Sequence, residues 1–195
     1  MSAATVSAPS APDVQSRLAA LEAEVTALRA ELGRTAERLP EHRMALCVVS
    51  GEFEKVTTAL MLATMAAAAE MQVTVFFAFW GVQAVTSRRR FRGKSAVERA
   101  LTLVRKPDVA ALSSQRFNLA GIGPKVFTRL MRGKGIATPA ELLVTARDLG
   151  VDLRACTTSM EVLGLAPDEL LPGVATCGAA QFLDVAGRSS VSLML

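Results

Sequence analysis

The chain has 195 residues, enough for one domain of ordinary size with an appendage. Half of it is hydrophobic, yet it holds one Trp, eight Phe and no Tyr, so its core must be aliphatic and methionine-rich; three Cys exclude a disulfide framework, and the single histidine, His42, excludes a histidine-based triad or a multi-histidine metal site. The net charge of +4 hides a division: between Arg88 and Lys134 thirteen Lys/Arg face only Glu98 and Asp108, so one basic segment sits on a mildly acidic body and suggests docking to something anionic.

Residues 1–12 are small and polar, with neither the basic start nor the apolar run of a secretory signal, and are expected to be a disordered lead-in. With so few cysteines, a reduced, cytoplasmic setting is expected. From 13 to 39 the apolar residues Val14, Leu18, Leu21, Val25, Leu28, Leu32 and Leu39, with Thr35 between the last two, keep alternating four-three spacing. That is a coiled-coil seam of close to four heptads. A stripe so narrow needs a partner helix. The same helix of another copy is the expected partner, giving a homo-oligomer; packing on the chain's own body is the alternative. Pro40 to Arg43 read as a linker that leaves His42 solvated.

Met44 to Ser50 is an uninterrupted apolar strand, as in a parallel sheet buried on both faces, with Cys47 as an inert core thiol. Ser50-Gly51-Glu52 turns into a helix over about 55–70, and Gln72 to Phe79 forms a second strand ending at Trp80-Gly81. Strand, helix, strand makes a βαβ unit. Residues 56–85 are apolar, but Glu70 and Gln72 split them into pieces shorter than the ~20 residues that span a bilayer.

The basic stretch 83–134 is long for a loop and is expected to be functional or partly helical, with a short helix over 95–105 stopped by Pro107. Phe117 to Arg132 mixes apolar and cationic residues, which suits a lid, a subunit contact, or a patch for an anionic membrane or acidic protein. Nucleic acid is not the expected partner, because only Phe91, Phe117 and Phe127 offer stacking faces. Gly121-Ile-Gly123 meets neither the P-loop nor the dinucleotide spacing. Thr138-Pro139-Ala-Glu141 starts a capped helix that Gly150 closes.

Val151 to Ala155 then reads as a strand ending on Cys156, and Thr157-Thr158-Ser159 open a helical turn. A thiol between strand end and helix start lies where open α/β sheets bind ligands. The turn's free N–H groups favour a thiolate there, and Arg154, two residues back, would project to the same side. The plain alternative is a buried structural cysteine. A short strand over 174–176 leads to Cys177 at a second strand-to-helix junction, and Ser190 to Leu195 form a final strand. The body is therefore α/β: a mostly parallel, five-stranded, flavodoxin-like or Rossmann-like sheet with helices on both faces, preceded by the coiled-coil helix.

Four segments in order, Ser50-Gly51-Glu52, Phe76-Phe77-x-Phe79-Trp80-Gly81, Phe117-Asn118-x-x-Gly121-x-Gly123 and Ala155-Cys156-x-x-Ser159-Met160-Glu161-Val162-x-Gly164, resemble the DsrE/DsrF-like sulfur-relay family. The likeness is to its longer branch, often labelled "peroxiredoxin family", and covers about 44–195, with the basic stretch as an insertion and the heptad helix outside it. It implies a trimer- or hexamer-forming α/β domain that passes sulfane sulfur as a cysteine persulfide between rhodanese-like and TusA-like proteins. Carried onto this chain, the persulfide thiol is Cys156. Arg154, Thr158 and Ser159 are candidates for stabilising it, Gly51, Trp80 and Gly81 for its rim, and no metal, nucleotide or other cofactor is needed. Cys177 departs from the family pattern; it is either a resolving thiol or a small core residue. Two readings of other classes stand beside the carrier: an adaptor built on the coiled coil and the basic segment, and, more weakly, a thiol redox sensor.

Overall fold

The computed structural model describes residues 11–36, 41–91, 95–104, 109, 112 and 122–195. It divides into two units, residues 1–39 and 40–195. In the first, one helix, α1 (Ala11–Ala36), carries the heptad residues Val14, Leu18, Leu21, Val25, Leu28 and Leu32, all exposed. The helix begins at Ala11, two residues inside the lead-in expected over 1–12, since proline is tolerated in a first helical turn; residues 1–10 and Leu39 lie outside the described residues.

In the second unit, β1 (Glu41–Val48), β2 (Gln72–Phe77), β3 (Asp152–Cys156), β4 (Ala175–Cys177) and β5 (Ser189–Met194) form one sheet in the order β4-β3-β2-β1-β5, every pairing parallel. The expected linker is shorter than the sequence reading places it. Glu41, His42 and Arg43 already belong to β1, because Glu41 registers with Ser189 of β5 and Arg43 with Gln72 of β2. Main-chain pairing on both sides outweighs the polar side chains, and His42, though exposed, brings its Nε2 to 3.3 Å from the Ala69 carbonyl oxygen.

Strand alternation sends Met44, Leu46, Val48, Val73, Val75, Phe77, Leu153 and Ala155 to one face, where α2 (Phe53–Ala68) and α5 (Pro139–Asp148) cover them. The other face holds Ala45, Cys47, Phe76, Cys156 and Cys177, covered by α7 (Ala179–Arg188), whose Phe182 stacks on Phe76 at 4.7 Å between ring centres. Right-handed crossovers explain the unequal coverage. From β1 through β4 the chain steps across the sheet in one direction and its helices fall on one side. From β4 it crosses back beyond β1 to β5, which puts α7 on the other.

Thr138 caps α5 as the sequence predicts: Glu141 N–H reaches the Thr138 hydroxyl oxygen, and the Glu141 carboxylate takes the Thr138 N–H at 2.7 Å. The Thr138 N–H, and after it the Thr138 hydroxyl, hold the Glu141 carboxyl below its ordinary range. Gly150, at φ +76°, closes the helix in the left-handed conformation. In the basic stretch the helix expected over 95–105 is α3 (Ala96–Val104), and a further helix, α4 (Ile122–Gly133), follows. Phe127 of α4 packs against Phe53 of α2, while Lys125, Val126, Arg129, Leu130 and Arg132 are exposed. Phe117 to Gly121 lie outside the described residues. No helix among the described residues is long and apolar enough to cross a membrane.

Candidate functional site

All five strands run the same way, so the turns after β1, β2, β3 and β4 gather at one edge of the sheet. At that edge, β3 and β4 are neighbours whose outgoing helices part. Six-residue α6 (Thr157–Val162) buries Met160 on the α2 face, and α7 buries Phe182 on the opposite face. This parting makes the crevice where open α/β sheets take ligands. Cys156 ends β3 and Cys177 ends β4, and the two are register partners across the ladder. The strand order that makes them neighbours is not visible in the sequence.

The rim comes from the turns after β1 and β2. The turn Phe79–Val85 folds back over the end of β1, with Ala78 N–H on the Val48 carbonyl at 2.9 Å and Gly81 N–H on that of Val49 at 3.3 Å. Two glycines allow the approach. A Cβ on Gly81 would stand 2.1 Å from the Val48 carbonyl oxygen, and one on Gly51 would stand 2.7 Å from that of Trp80. Phe79 adopts φ +45°, a costly conformation for an aromatic residue, and its N–H is held by the Ser159 hydroxyl oxygen at 2.8 Å. Phe79 and Trp80 consequently stand out beside the crevice, 59% and 42% exposed.

Among the residues singled out from the sequence, Arg154 shares the face of Cys156, but its partners lie elsewhere. Its Nε and Nη2 grip Asp152 Oδ2 at 2.7 and 2.6 Å. Asp152 is the main reason Arg154 is held above its ordinary range. Burial pushes the Cys177 thiol up, Arg154 opposes that shift, and Asp152 and Cys156 add to it. Ser159 is buried and receives the Phe79 N–H, and so fixes the rim; Thr158 lies on the exposed side of α6. Cys156 is only 6% exposed. Cys47 packs against the same cluster, its thiol pushed up first by burial and then by Cys156, so the three thiols share one face of the sheet.

Asp152 was not singled out in the sequence, and Phe79 entered only as part of a family-like segment, not as a site residue. The alternation Asp152, Arg154, Cys156 carried the signal for the first. The positive φ of Phe79 had none. A groove of about 660 Å³ opens beside Cys177, lined by Asp152, Arg154, Thr176, Gln181 and Asp184 among others.

A parallel α/β sheet with two thiols at the parting of its helices defines a thiol-bearing α/β domain. More specifically, the chain belongs to the DsrE/DsrF/DrsH-like family, whose model matches residues 40–194. It is 31% identical over 154 residues to the uncharacterized protein YrkE of Bacillus subtilis (strain 168), covering 78% of this chain and 96% of that one. Over 161 residues it is 24% identical to the sulfur carrier protein DsrE2 of Allochromatium vinosum, covering 80% of this chain and all of the other. The crystal structure of the ychN protein from E. coli aligns with a TM-score of 0.45 at 12% identity, over 78% of this chain and 99% of that one. Membership implies sulfur relay at the level of the family.

Proposed function

We propose that this protein carries sulfane sulfur as a persulfide on Cys156 and passes it between thiol partners. The observation that carries this reading is the place of Cys156 at the parting of α6 and α7, on the sheet edge where all the rim residues gather. A thiolate at Cys156 attacks the outer sulfur of a donor persulfide, holds R–S–S⁻, and yields that outer sulfur to an acceptor thiolate. Such exchange needs neither a metal nor a base. Cys156 is buried, so a donor must loosen the packing around it, and the protruding Phe79 and Trp80 offer it an aromatic foothold. Rhodanese-like or TusA-like proteins fit the role of donor and acceptor.

The test is intact-mass spectrometry after incubation with thiosulfate plus a rhodanese, or with cysteine plus a cysteine desulfurase. Wild type is expected to gain about 32 Da per sulfur, and Cys156→Ser to gain none at that site. An equal gain in Cys156→Ser would remove the assignment.

A second reading, that of an oligomeric adaptor, is favoured by the exposed seam of α1 and the exposed cations and apolar residues of α4. Here Leu21→Lys with Leu28→Lys is expected to lower the molecular mass seen in sedimentation and to abolish function, while Cys156→Ser is tolerated. An unchanged mass would exclude α1 as the assembling element.

A further inference from the structure

Cys156 and Cys177 are not merely close. They are paired residues on adjacent parallel strands, which lie about 4.8 Å apart. That spacing falls inside the Cα separation that a disulfide spans, about 4.4–6.8 Å. Both are free thiols in the same apolar cluster. Both are buried, at 6% and 4% exposure, but their settings differ: Cys177 lines the groove together with Arg154, which favours its thiolate.

We infer that Cys177 is an intramolecular resolving thiol, which discharges the persulfide on Cys156 as hydrosulfide and leaves a Cys156–Cys177 disulfide. The inference rests on the carrier reading of Cys156. Cys177 Sγ attacks Cys156 Sγ, the inner sulfur of the persulfide. The bond from Cys156 Sγ to the outer sulfur breaks, and the outer sulfur leaves with the electron pair. It takes up the proton that Cys177 gives up, so that Cys156–S–S⁻ and Cys177–SH become the disulfide and HS⁻. The sulfane sulfur is reduced by two electrons and the two cysteine sulfurs are oxidised, with no outside oxidant. Arg154 is a positioning residue that stabilises the Cys177 thiolate as it forms. Burial keeps Cys177 protonated at rest, which supplies the proton that the leaving sulfur needs. A dithiol reductant resets the pair.

The experiment loads the full chain anaerobically with inorganic tetrasulfide, removes the excess by desalting, and follows intact mass and released sulfide together. The proteins compared are wild type, Cys177→Ser, Cys177→Ala and Arg154→Gln, with Cys47→Ala as the control for loading on that thiol, each checked for folding by circular dichroism. Wild type is expected to pass from a gain of about 32 Da to a loss of about 2 Da relative to the reduced chain, with about one sulfide released. Both Cys177 variants are expected to keep the added sulfur and release sulfide at least about tenfold more slowly. In Arg154→Gln, release is expected to slow near neutral pH and to recover at alkaline pH, which a purely structural role would not produce. If wild type keeps its added sulfur as long as the Cys177 variants do, the inference fails while the carrier reading stands. If the Cys177 variants never take up sulfur on Cys156, both fail.

Discussion

Replacing Gly81 by alanine is expected to destabilise the domain by more than about 3 kcal/mol, read from the denaturant midpoint of the full chain. The added methyl group would meet the Val48 carbonyl oxygen at 2.1 Å, and that atom cannot yield, because it accepts the Ala78 N–H at 2.9 Å. The clash falls where the turn after β2 crosses the end of β1, so relief requires lifting Phe79 and Trp80 from the edge. Gly51→Ala meets the Trp80 carbonyl oxygen at 2.7 Å and should cost less, since that gap needs a smaller shift. Gly187→Ala, in α7 with open space around its Cβ position, should be neutral or add up to about 1 kcal/mol of stability. A loss below about 1 kcal/mol for Gly81→Ala would show that the rim is looser than its backbone contacts imply.

Gly51, Trp80 and Gly81 came as a group from the family resemblance, and they meet in the structure because each follows a strand of one parallel sheet. Cys156 was legible from the strand pattern itself, as a thiol where a strand gives way to a helix. Local pattern also gave the α5 start, since Thr138 and Glu141 satisfy each other's backbone within four residues. What local pattern cannot carry is strand order. Nothing in Ala175–Cys177 announces that this short strand lies beside β3, or that Arg154 directs its guanidinium to Asp152. Glu41 to Arg43 failed for a related reason: polar side chains at the start of a strand look like a linker until β2 and β5 are placed beside them. Helix α4 falls in the stretch expected to be partly helical, and its Pro124 lies in the first helical turn, where proline is well tolerated.

Glu169→Ala is expected to cost about 2–4 kcal/mol and to loosen the start of the basic segment. The Glu169 side chain is fully buried, and its two oxygens accept the Arg90 and Ala166 N–H groups, each at 3.0 Å. Its own carbonyl takes the Ser87 N–H at 2.9 Å, Thr86 bridges Leu170, and the Leu171 N–H reaches the Val85 carbonyl at 2.8 Å. The strip Val85 to Arg90 is thereby laced to the turn after α6, with Arg90 also paired to Asp168 at 3.3 Å. Alanine removes both carboxylate acceptors and leaves two backbone donors to find water in a packed corner. Glu169→Gln keeps the shape and one acceptor oxygen, and should lose less. Arg88, Arg89 and Arg90 make the local effect measurable, because trypsin should cut there faster in Glu169→Ala than its global loss of stability accounts for. If cleavage at these arginines instead tracks global unfolding alone, the carboxylate supports the core and not the anchoring of the basic segment.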